Sequence, residues 1–482
     1  MPVRTDARHG DPLTIPLPAA VARVLGALHQ AGAEAALVGG CVRDAVLGQA
    51  PTDWDVATSA VPEQVEALFP RATWENPFGT VTVLPDEGHG PAVEVTTYRI
   101  EGPYGDRRRP NEVRWGGSLG DDLSRRDFTI NAMAWEPMDL EAGGGRLLDP
   151  FDGAGDLRRG VLRAVGDPDL RIAEDALRMV RAVRFATRFG LALDTATAAG
   201  IRRHAGAATS LSGERVRDEL LRIMAGAAPP SWAMAMMEEL GLLRVLLPEL
   251  AALRGVPQAK AIPGDALDHS LRTVDALPAA DPVLRLAGLL HDLGKATTLA
   301  GGHFIGHERE GARLAEEVLR RLRLPKADII RVTRLVRHHM FAYAAEWTDA
   351  AVRRFVRRVG ADLLDDLYAL RRADDAASGA REPATGGLDE LRARSERVLA
   401  ADPMAHGQLA VDGNDLVREL GLRPGPLVGR LLDGLMEAVL DDPGLNRRAT
   451  LLALARERID EDPGAGGARE QREGRPPAGA SD

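Results

Sequence analysis

The sequence predicts an α+β protein in which a small mixed head of strands and helices is followed by a long all-helical remainder. Two observations carry this. Short runs with strand character, "AEAALVGG", "TDWDVAT", "TVTVLP" and "AVEVTTYRI", are confined to the part before about residue 155, each bounded by Gly, Pro or Asp. From about residue 168 the strand signals stop, and Leu, Ala and Arg recur at helical spacing to about residue 458. Bulk composition agrees. A chain of 482 residues is too long for one core, and 45% hydrophobic with 27% charged residues is ordinary for a globular protein. No apolar run is long enough to span a membrane, and the first residues hold no apolar stretch of the signal-peptide kind. The single cysteine, Cys41, excludes disulfides within the chain and zinc fingers, and is expected to pack as a small buried residue. The expected compartment is the cytoplasm, with no membrane association and no obligate protein partner evident.

The segments follow in order. Residues 1–11 read as a leader and 12–157 as the mixed head, opened by a helix on which Val21, Leu25 and Leu28 share a face. Residues 158–226 read as a helical neck, 227–385 as a helical body and 386–460 as a C-terminal helical region. Pro/Gly-rich edges stand at "APPSW", "GVPQAKAIPGD" and "ASGAREPATGG". Residues 461–482 are rich in Gly, Pro and charge and are expected to be disordered.

Within the head, "LVGGCVRDAVLGQAPTDWDVATS" sets Gly39 and Gly40 after an apolar strand and places Asp53 and Asp55 one residue apart. Residues i and i+2 of a strand share a face. Two carboxylates side by side repel, so the pair points to a divalent metal between them. Glycines before a helix let the backbone approach a phosphate, and Arg43 one turn on can hold its oxygens. A triphosphate beside a carboxylate pair is the layout of two-metal phosphoryl transfer, with Glu94 the best placed third carboxylate. As a plain capped turn the same residues need no function. In "SRRDFTINAMAW", the set Arg125, Arg126, Asp127 and Asn131 suits the phosphates and ribose hydroxyls of a nucleotide.

The stretch "RIAEDALRMVRAVRFATRFG" (171–190) predicts one helix. At about 100° per residue, Arg178, Arg181, Arg184 and Arg188 share one side, with Met179, Val180 and Val183 opposite. Asp175 stands one turn before Arg178, so an acceptor and a donor sit together. Cytosine and adenine both present an amino donor beside a ring-nitrogen acceptor; uracil and guanine present the reverse. An Asp–Arg pair therefore accepts C and A and rejects U and G, by about 1–3 kcal/mol per bidentate contact. A surface ion pair is the simpler alternative on spacing alone.

The motifs "LVGGCVRD…DWDVATSA", "RRDFTINAMA", "DPFDG", "EDALRMVRAVRF" and "SGERVRDEL" occur in the order seen in the tRNA nucleotidyltransferase/poly(A) polymerase family, and the chain resembles its bacterial CCA-adding members across about residues 35–222. The resemblance implies a polymerase-beta-like head in which Asp53 and Asp55 bind catalytic Mg²⁺. It implies that Arg125, Arg126 and Asp127 contact the ribose and organise the site, and that Glu174, Asp175 and Arg178 read the base edge. The implied partners are the tRNA 3′ end, CTP and ATP. The segment 99–123, absent from relatives that add only CC, is present at full length, and the tail is shorter than the basic extension of poly(A) polymerases.

Six of the eleven histidines (269, 291, 303, 307, 338 and 339) fall within 71 residues. With "HDLGK" at 291–295 and "RRADD" further on, they suggest imidazoles and carboxylates gathered from several helices into a metal cage. His269, His291, Asp292 and Asp374 match the H…HD…D pattern of the HD phosphohydrolase superfamily, which the body (227–385) resembles; the resemblance implies an unidentified divalent metal. Lysines occur only at 260, 295 and 326, so a lysine beside a motif is worth attention. The turn "LGLRPGPLVG" is open to two readings, an approach to RNA phosphates or a helix-packing turn. Net charge is −10, yet residues 161–225 hold eleven Arg against eight acids, which suits a folded RNA end.

These readings converge on template-independent addition of C, C and A to tRNA 3′ ends, with a possible second hydrolytic activity. The alternatives are poly(A) or A-only addition, an HD phosphohydrolase with a nucleotide-binding regulatory head, and an RNA-binding protein without catalysis.

Overall fold

The structure is a computed structural model that describes residues 7–74, 79–85, 90–101, 113–379 and 387–461. Part of the 99–123 segment (102–112), part of the "ASGAREPATGG" edge (380–386) and the tail 462–482 lie outside the described residues, as do residues 1–6. The chain divides into two compact units. One comprises residues 1–254 with 278–285 and 317–325; the other comprises 255–277, 286–316 and 326–482.

The first unit begins with strands β1 (Pro12–Thr14), β2 (Ala35–Val38), β3 (Asp55–Thr58), β4 (Ala72–Trp74), β5 (Thr80–Val83) and β6 (Val93–Thr97). Strands β7 (Arg99–Glu101) and β8 (Val113–Trp115) pair only with each other, and β9 (Ala134–Asp139) and β10 (Gly144–Leu148) follow. The remaining eight form one sheet in the order β1-β10-β9-β2-β3-β6-β5-β4. Every neighbouring pair is antiparallel except β3 with β6, which run parallel. Helix α1 (Ala19–Gln30) buries Val21, Val24, Leu25 and Leu28, the face its spacing predicts.

Residues 7–11, read from sequence as a leader, are tied to this sheet. The Gly10 N–H donates to Leu147 O at 2.8 Å, and the Asp149 N–H donates to His9 Nδ1 at 3.0 Å. The core centres on Trp135 of β9, which is fully buried and donates its indole N–H to Leu13 O at 2.7 Å. A Cβ at Gly145 would stand 2.4 Å from the Trp135 ring, so this packing requires glycine.

Between the strands lie α2 to α4 of the head, namely Gly40–Val46, Pro62–Leu68 and Leu119–Ser124, and after them come α5 (Gly153–Arg159), α6 (Pro168–Glu174) and α7 (Leu177–Phe189). The single helix expected over 171–190 is two. Asp175 is extended (φ −148°, ψ 105°), and its carboxylate accepts the Leu177 N–H at 3.0 Å, so it ends α6 and caps α7. Apolar spacing runs through the break, which is why periodicity hides it. Helices α8 (Thr195–His204) and α9 (Gly213–Met224) complete what the site needs; α9 packs on α7.

Among its described residues the second unit is built of helices joined by loops, with no strand. Helix Ala266–Asp275 carries His269 and packs on Leu364–Ser378, which carries Asp374. The helices Gly413–Leu420, Pro426–Asp441 and Arg448–Glu461 enclose a core of their own around Leu416, Leu435, Met436 and Leu451. Among the described residues no helix is long and apolar enough to cross a membrane.

Replacing Trp135 by Ala removes the largest buried side chain of the sheet and orphans the Leu13 carbonyl. The expected cost is about 3–5 kcal/mol of head stability, read by denaturant unfolding.

Candidate active sites: a carboxylate cleft and a histidine cluster

A cavity of about 1030 Å³ opens over the head and is lined by Asp53, Asp55 and Glu94 together with residues of α2, α7 and α9. Asp53 and Asp55 do not project from one strand face, as their spacing suggested. The strand starts only at Asp55, and Asp53 lies in an exposed bend after Pro51. Both line the cavity, and Trp54 between them is buried. Glu94 is the direct parallel partner of Asp55 in the β3–β6 register. Burial pushes the Asp55 carboxyl up to about 6; Arg126 opposes the shift, and Glu94 and Asp53 add to it. The all-oxygen donor set fits a hard divalent cation.

Gly39 (φ +75°) explains the glycine pair. A Cβ there would stand 2.6 Å from Arg126 Nη1 and 3.6 Å from Asp55 Oδ2, so glycine lets the guanidinium come alongside the carboxylate. Gly40 opens α2 and lines the cavity. Arg43 is buried, donates Nη1–H to Asn131 Oδ1 at 2.6 Å, pairs with Asp44 at 2.7 Å and lies over the Phe189 ring. Asn131 Nδ2 donates to Asp127 Oδ1 at 3.1 Å, and Arg181 Nη2 lies 2.7 Å from Asp127 Oδ2. Burial works against ionising Asp127, but Arg181 and Asn131 outweigh it and hold the carboxyl below its ordinary range. Cys41 packs behind the glycines, its thiol pushed up to about 11 by burial.

The base-reading set is arranged differently from the expectation. Because the helix breaks at Asp175, Arg178 pairs with Glu174, at 2.5 Å, rather than with Asp175. Arg178 also donates to Arg171 O and Arg125 O, both at 2.9 Å. Asp175 is held by Arg215 of α9 through two parallel bonds of 3.0 and 2.7 Å. Asp175 and Arg178 nevertheless line the same cavity as Asp55; Glu174 braces Arg178 from outside its lining. Arg184 is buried against Glu219 at 2.5 Å, so Arg178, Arg181 and Arg184 of the stripe are anchored, while Arg188 at its end is exposed.

Sequence reasoning missed several supports. Asp122 is fully buried and binds both Arg125 and Arg126. Arg215 and Arg222, from "SGERVRDEL" and the residues after it, also line the cavity. The motif "SGERVRDEL" was legible; the pairing of Arg215 with Asp175 across the fold was not.

In the second unit His269, His291, Asp292 and Asp374 converge as predicted. His269 Nε2 lies 2.9 Å from Asp374 Oδ1, and His291 Nε2 lies 3.1 Å from Asp292 Oδ2. His307 and His339 join them, with Nε2 at 3.5 and 3.7 Å from Asp292 Oδ1. His303 is exposed and His338 half-buried, and neither ring pairs with Asp292. Two lysines enter the cluster. Lys295 Nζ lies 2.6 Å from Asp292 Oδ2, and Lys260 Nζ lies 3.0 Å from His269 Nε2 and 3.1 Å from Asp374 Oδ1. Burial lowers His269 to about 4, against the pull of Asp374. The donor groupings His269–His291–Asp374 and His291–Asp292–His339 are each compact enough to hold a metal ion.

A mixed sheet with three carboxylates under a cleft lined by arginines, followed by helices carrying a histidine–aspartate cluster, defines a nucleotidyltransferase head joined to an HD-type body. Family models agree: a poly A polymerase head domain matches residues 35–163, a probable RNA and SrmB-binding site of polymerase A matches 190–253, and an HD domain matches 266–378. An A-adding tRNA nucleotidyltransferase from Deinococcus radiodurans is 37% identical over 451 residues, 89% of this chain and 97% of that one. A CCA-adding enzyme from Limosilactobacillus fermentum is 32% identical over 437 residues, 90% and 95% of the two chains. The solved CCA-adding enzyme of Bacillus stearothermophilus in complex with CTP superposes with a TM-score of 0.67 at 29% identity, over 92% of this chain and 97% of that one. The chain belongs to the tRNA nucleotidyltransferase/poly(A) polymerase family.

Asp55 must lose its proton to ligate a cation, so cation affinity falls as pH drops below about 6. The half-saturating divalent-cation concentration for nucleotide incorporation is expected to rise by up to about tenfold per pH unit below that point, and to level off above it.

Proposed function

We propose that this chain adds C, C and A in turn to the 3′ end of tRNA from CTP and ATP, working in the cytoplasm with Mg²⁺ at Asp53, Asp55 and Glu94. The observation that carries the reading is that Asp175 and Arg178 line the same cleft as the carboxylates. Bound Mg²⁺ would lower the pKa of the attacking tRNA 3′-hydroxyl and neutralise the pyrophosphate leaving group. The chain's own groups do the rest. Gly39 lets Arg126 come alongside Asp55, and Arg43 and Arg126 present charge to the triphosphate oxygens. Arg125, Asp127 and Asn131 position the ribose, with Arg181 fixing Asp127 and Arg184 bracing α7 on α9. Asp175 accepts from the exocyclic amino group of C or A, and Arg178 donates to the ring nitrogen. Arg215 and Glu174 hold the two side chains so that little ordering remains when the base arrives.

Purified protein is given tRNA lacking its CCA end with CTP, ATP and Mg²⁺, and the 3′ ends are sequenced. Uniform CCA ends are expected. A single A would assign it the task named in the Deinococcus radiodurans relative, and long A tracts would make it a poly(A) polymerase. Asp53→Ala with Asp55→Ala should abolish incorporation; normal incorporation would overturn the metal assignment.

Arg215→Met frees Asp175 while keeping the bulk of the side chain. Discrimination of C and A against U and G should fall by roughly tenfold or more, as loss of one oriented contact implies. Misincorporation of UTP and GTP measures it.

The HD body is proposed as a second, metal-dependent phosphohydrolase centre acting on phosphoester ends.

A further inference from the structure

The H…HD…D reading places one metal on His269, His291, Asp292 and Asp374, but the side chains divide these donors differently. His291, His307 and His339 have Nδ1 at 2.8, 2.8 and 2.7 Å from the carbonyls of Gly288, Phe304 and Val336. A carbonyl only accepts, so each Nδ1 carries the hydrogen and each neutral ring presents a bare lone pair at Nε2. All three Nε2 atoms are buried and make no hydrogen bond. All three face Asp292, at 3.1, 3.5 and 3.7 Å. The His291–His339 and His307–His339 ring centroids lie 5.1 and 5.3 Å apart, the rings steeply inclined to each other. Lys295 Nζ meets Asp292 Oδ2 at 2.6 Å, the oxygen that His291 faces, whereas Oδ1 is faced by the bare lone pairs of His307 and His339, which repel it unless a further cation stands among them. Backbone-anchored imidazoles of this kind are how proteins orient histidine ligands.

His269 and Asp374 are in a different state. The Lys260 ammonium lies within hydrogen-bond distance of both, and also donates to Ser378 Oγ at 2.9 Å. That puts a positive charge of the chain's own where the H…HD…D pattern would put metal. Lys260 lies nine residues before His269, on the loop "GVPQAKAIPGD".

We propose that the divalent-cation centre of the HD body is formed by His291, Asp292, His307 and His339, and that Lys260 fills the neighbouring cation position between His269 and Asp374. Three imidazole nitrogens with one carboxylate favour a first-row transition cation such as Mn²⁺, Ni²⁺ or Zn²⁺ over Mg²⁺. The inference rests on reading the body as a metal centre and specifies which side chains make it.

The test is metal stoichiometry, by calorimetric titration and by elemental analysis after dialysis against Ni²⁺ or Mn²⁺. The full chain carries Asp53→Ala and Asp55→Ala to remove the head's carboxylate pair. One equivalent per chain is expected. His307→Ala and His339→Ala should each weaken it by roughly tenfold or more, while Asp374→Asn leaves it within about threefold. Lys260→Met should admit a second equivalent, which Asp374→Asn then removes. Loss of the single equivalent in Asp374→Asn, with His307→Ala and His339→Ala unaffected, would restore the H…HD…D set and overturn the proposal. Two equivalents without the lysine change, or one with it, would overturn the role of Lys260. No metal in any form would overturn the metal-centre reading itself. Thermal melting of each variant, and nucleotide incorporation by His339→Gln in the otherwise unchanged chain, show whether the fold survives.

Discussion

The parallel pairing of β3 with β6 sets Asp55 opposite Glu94 at one end of a buried sheet, with Asp53 in the bend just before it. Burial raises the Asp55 carboxyl, and the neighbouring Glu94 and Asp53 charges raise it further. The sheet cannot relieve this by moving a strand, because β3 is hydrogen-bonded on both sides. Positive charge must come from elsewhere, and the architecture around the cleft can be read as the means of supplying it. Gly39 lacks a side chain so that Arg126 can reach Asp55. Asp122, buried beneath, holds Arg126 and Arg125 in position.

Several arginines facing the cleft are similarly tied at their backs. Arg43 is held by Asn131 and Asp44, Arg181 by Asp127, Arg184 by Glu219 and Arg178 by Glu174. A guanidinium offers five donors, so a partner on one edge leaves others directed at a ligand. Such pairing limits the entropy lost when a triphosphate binds and keeps the buried charges from destabilising the empty site. It also joins distant segments: Asn131 and Asp127 bind α2 to α7, and Asp175 with Arg215 binds α7 to α9. The proposed base-reading pair and the carboxylates therefore share one hydrogen-bonded frame.

Much of this was legible in the sequence for a definite reason. Strand runs, the glycine pair and the D-W-D spacing are local, and local patterns are what periodicity and turn chemistry report. The break at Asp175 was not legible, because "EDALRMV" satisfies helical spacing on both sides of it and only the extended backbone of Asp175 ends α6. Arg215 lies 40 residues from the carboxylate it holds, and Asp122 stands in an unremarkable "GDDLS". Side-chain partners across such distances are set by packing, which leaves no periodic trace. The same holds for His307, His339 and Lys260: the histidine cluster was visible as a count, but its division into sets was not.

The two clusters illustrate how donor chemistry separates cations within one chain. Three carboxylates in a cleft open to solvent offer only hard oxygen donors, and a hydrated hard cation can enter with its water and phosphate ligands. Around Asp292 the donors are mostly nitrogens, each locked by a backbone carbonyl and enclosed, where a cation must shed its water to bind. Mg²⁺ dehydrates reluctantly and gains little from imidazole, whereas a transition cation gains enough to compensate. On the proposed assignments the two sites would favour different metals. The selectivity then follows from which side chains fold together, rather than from the concentration of either ion.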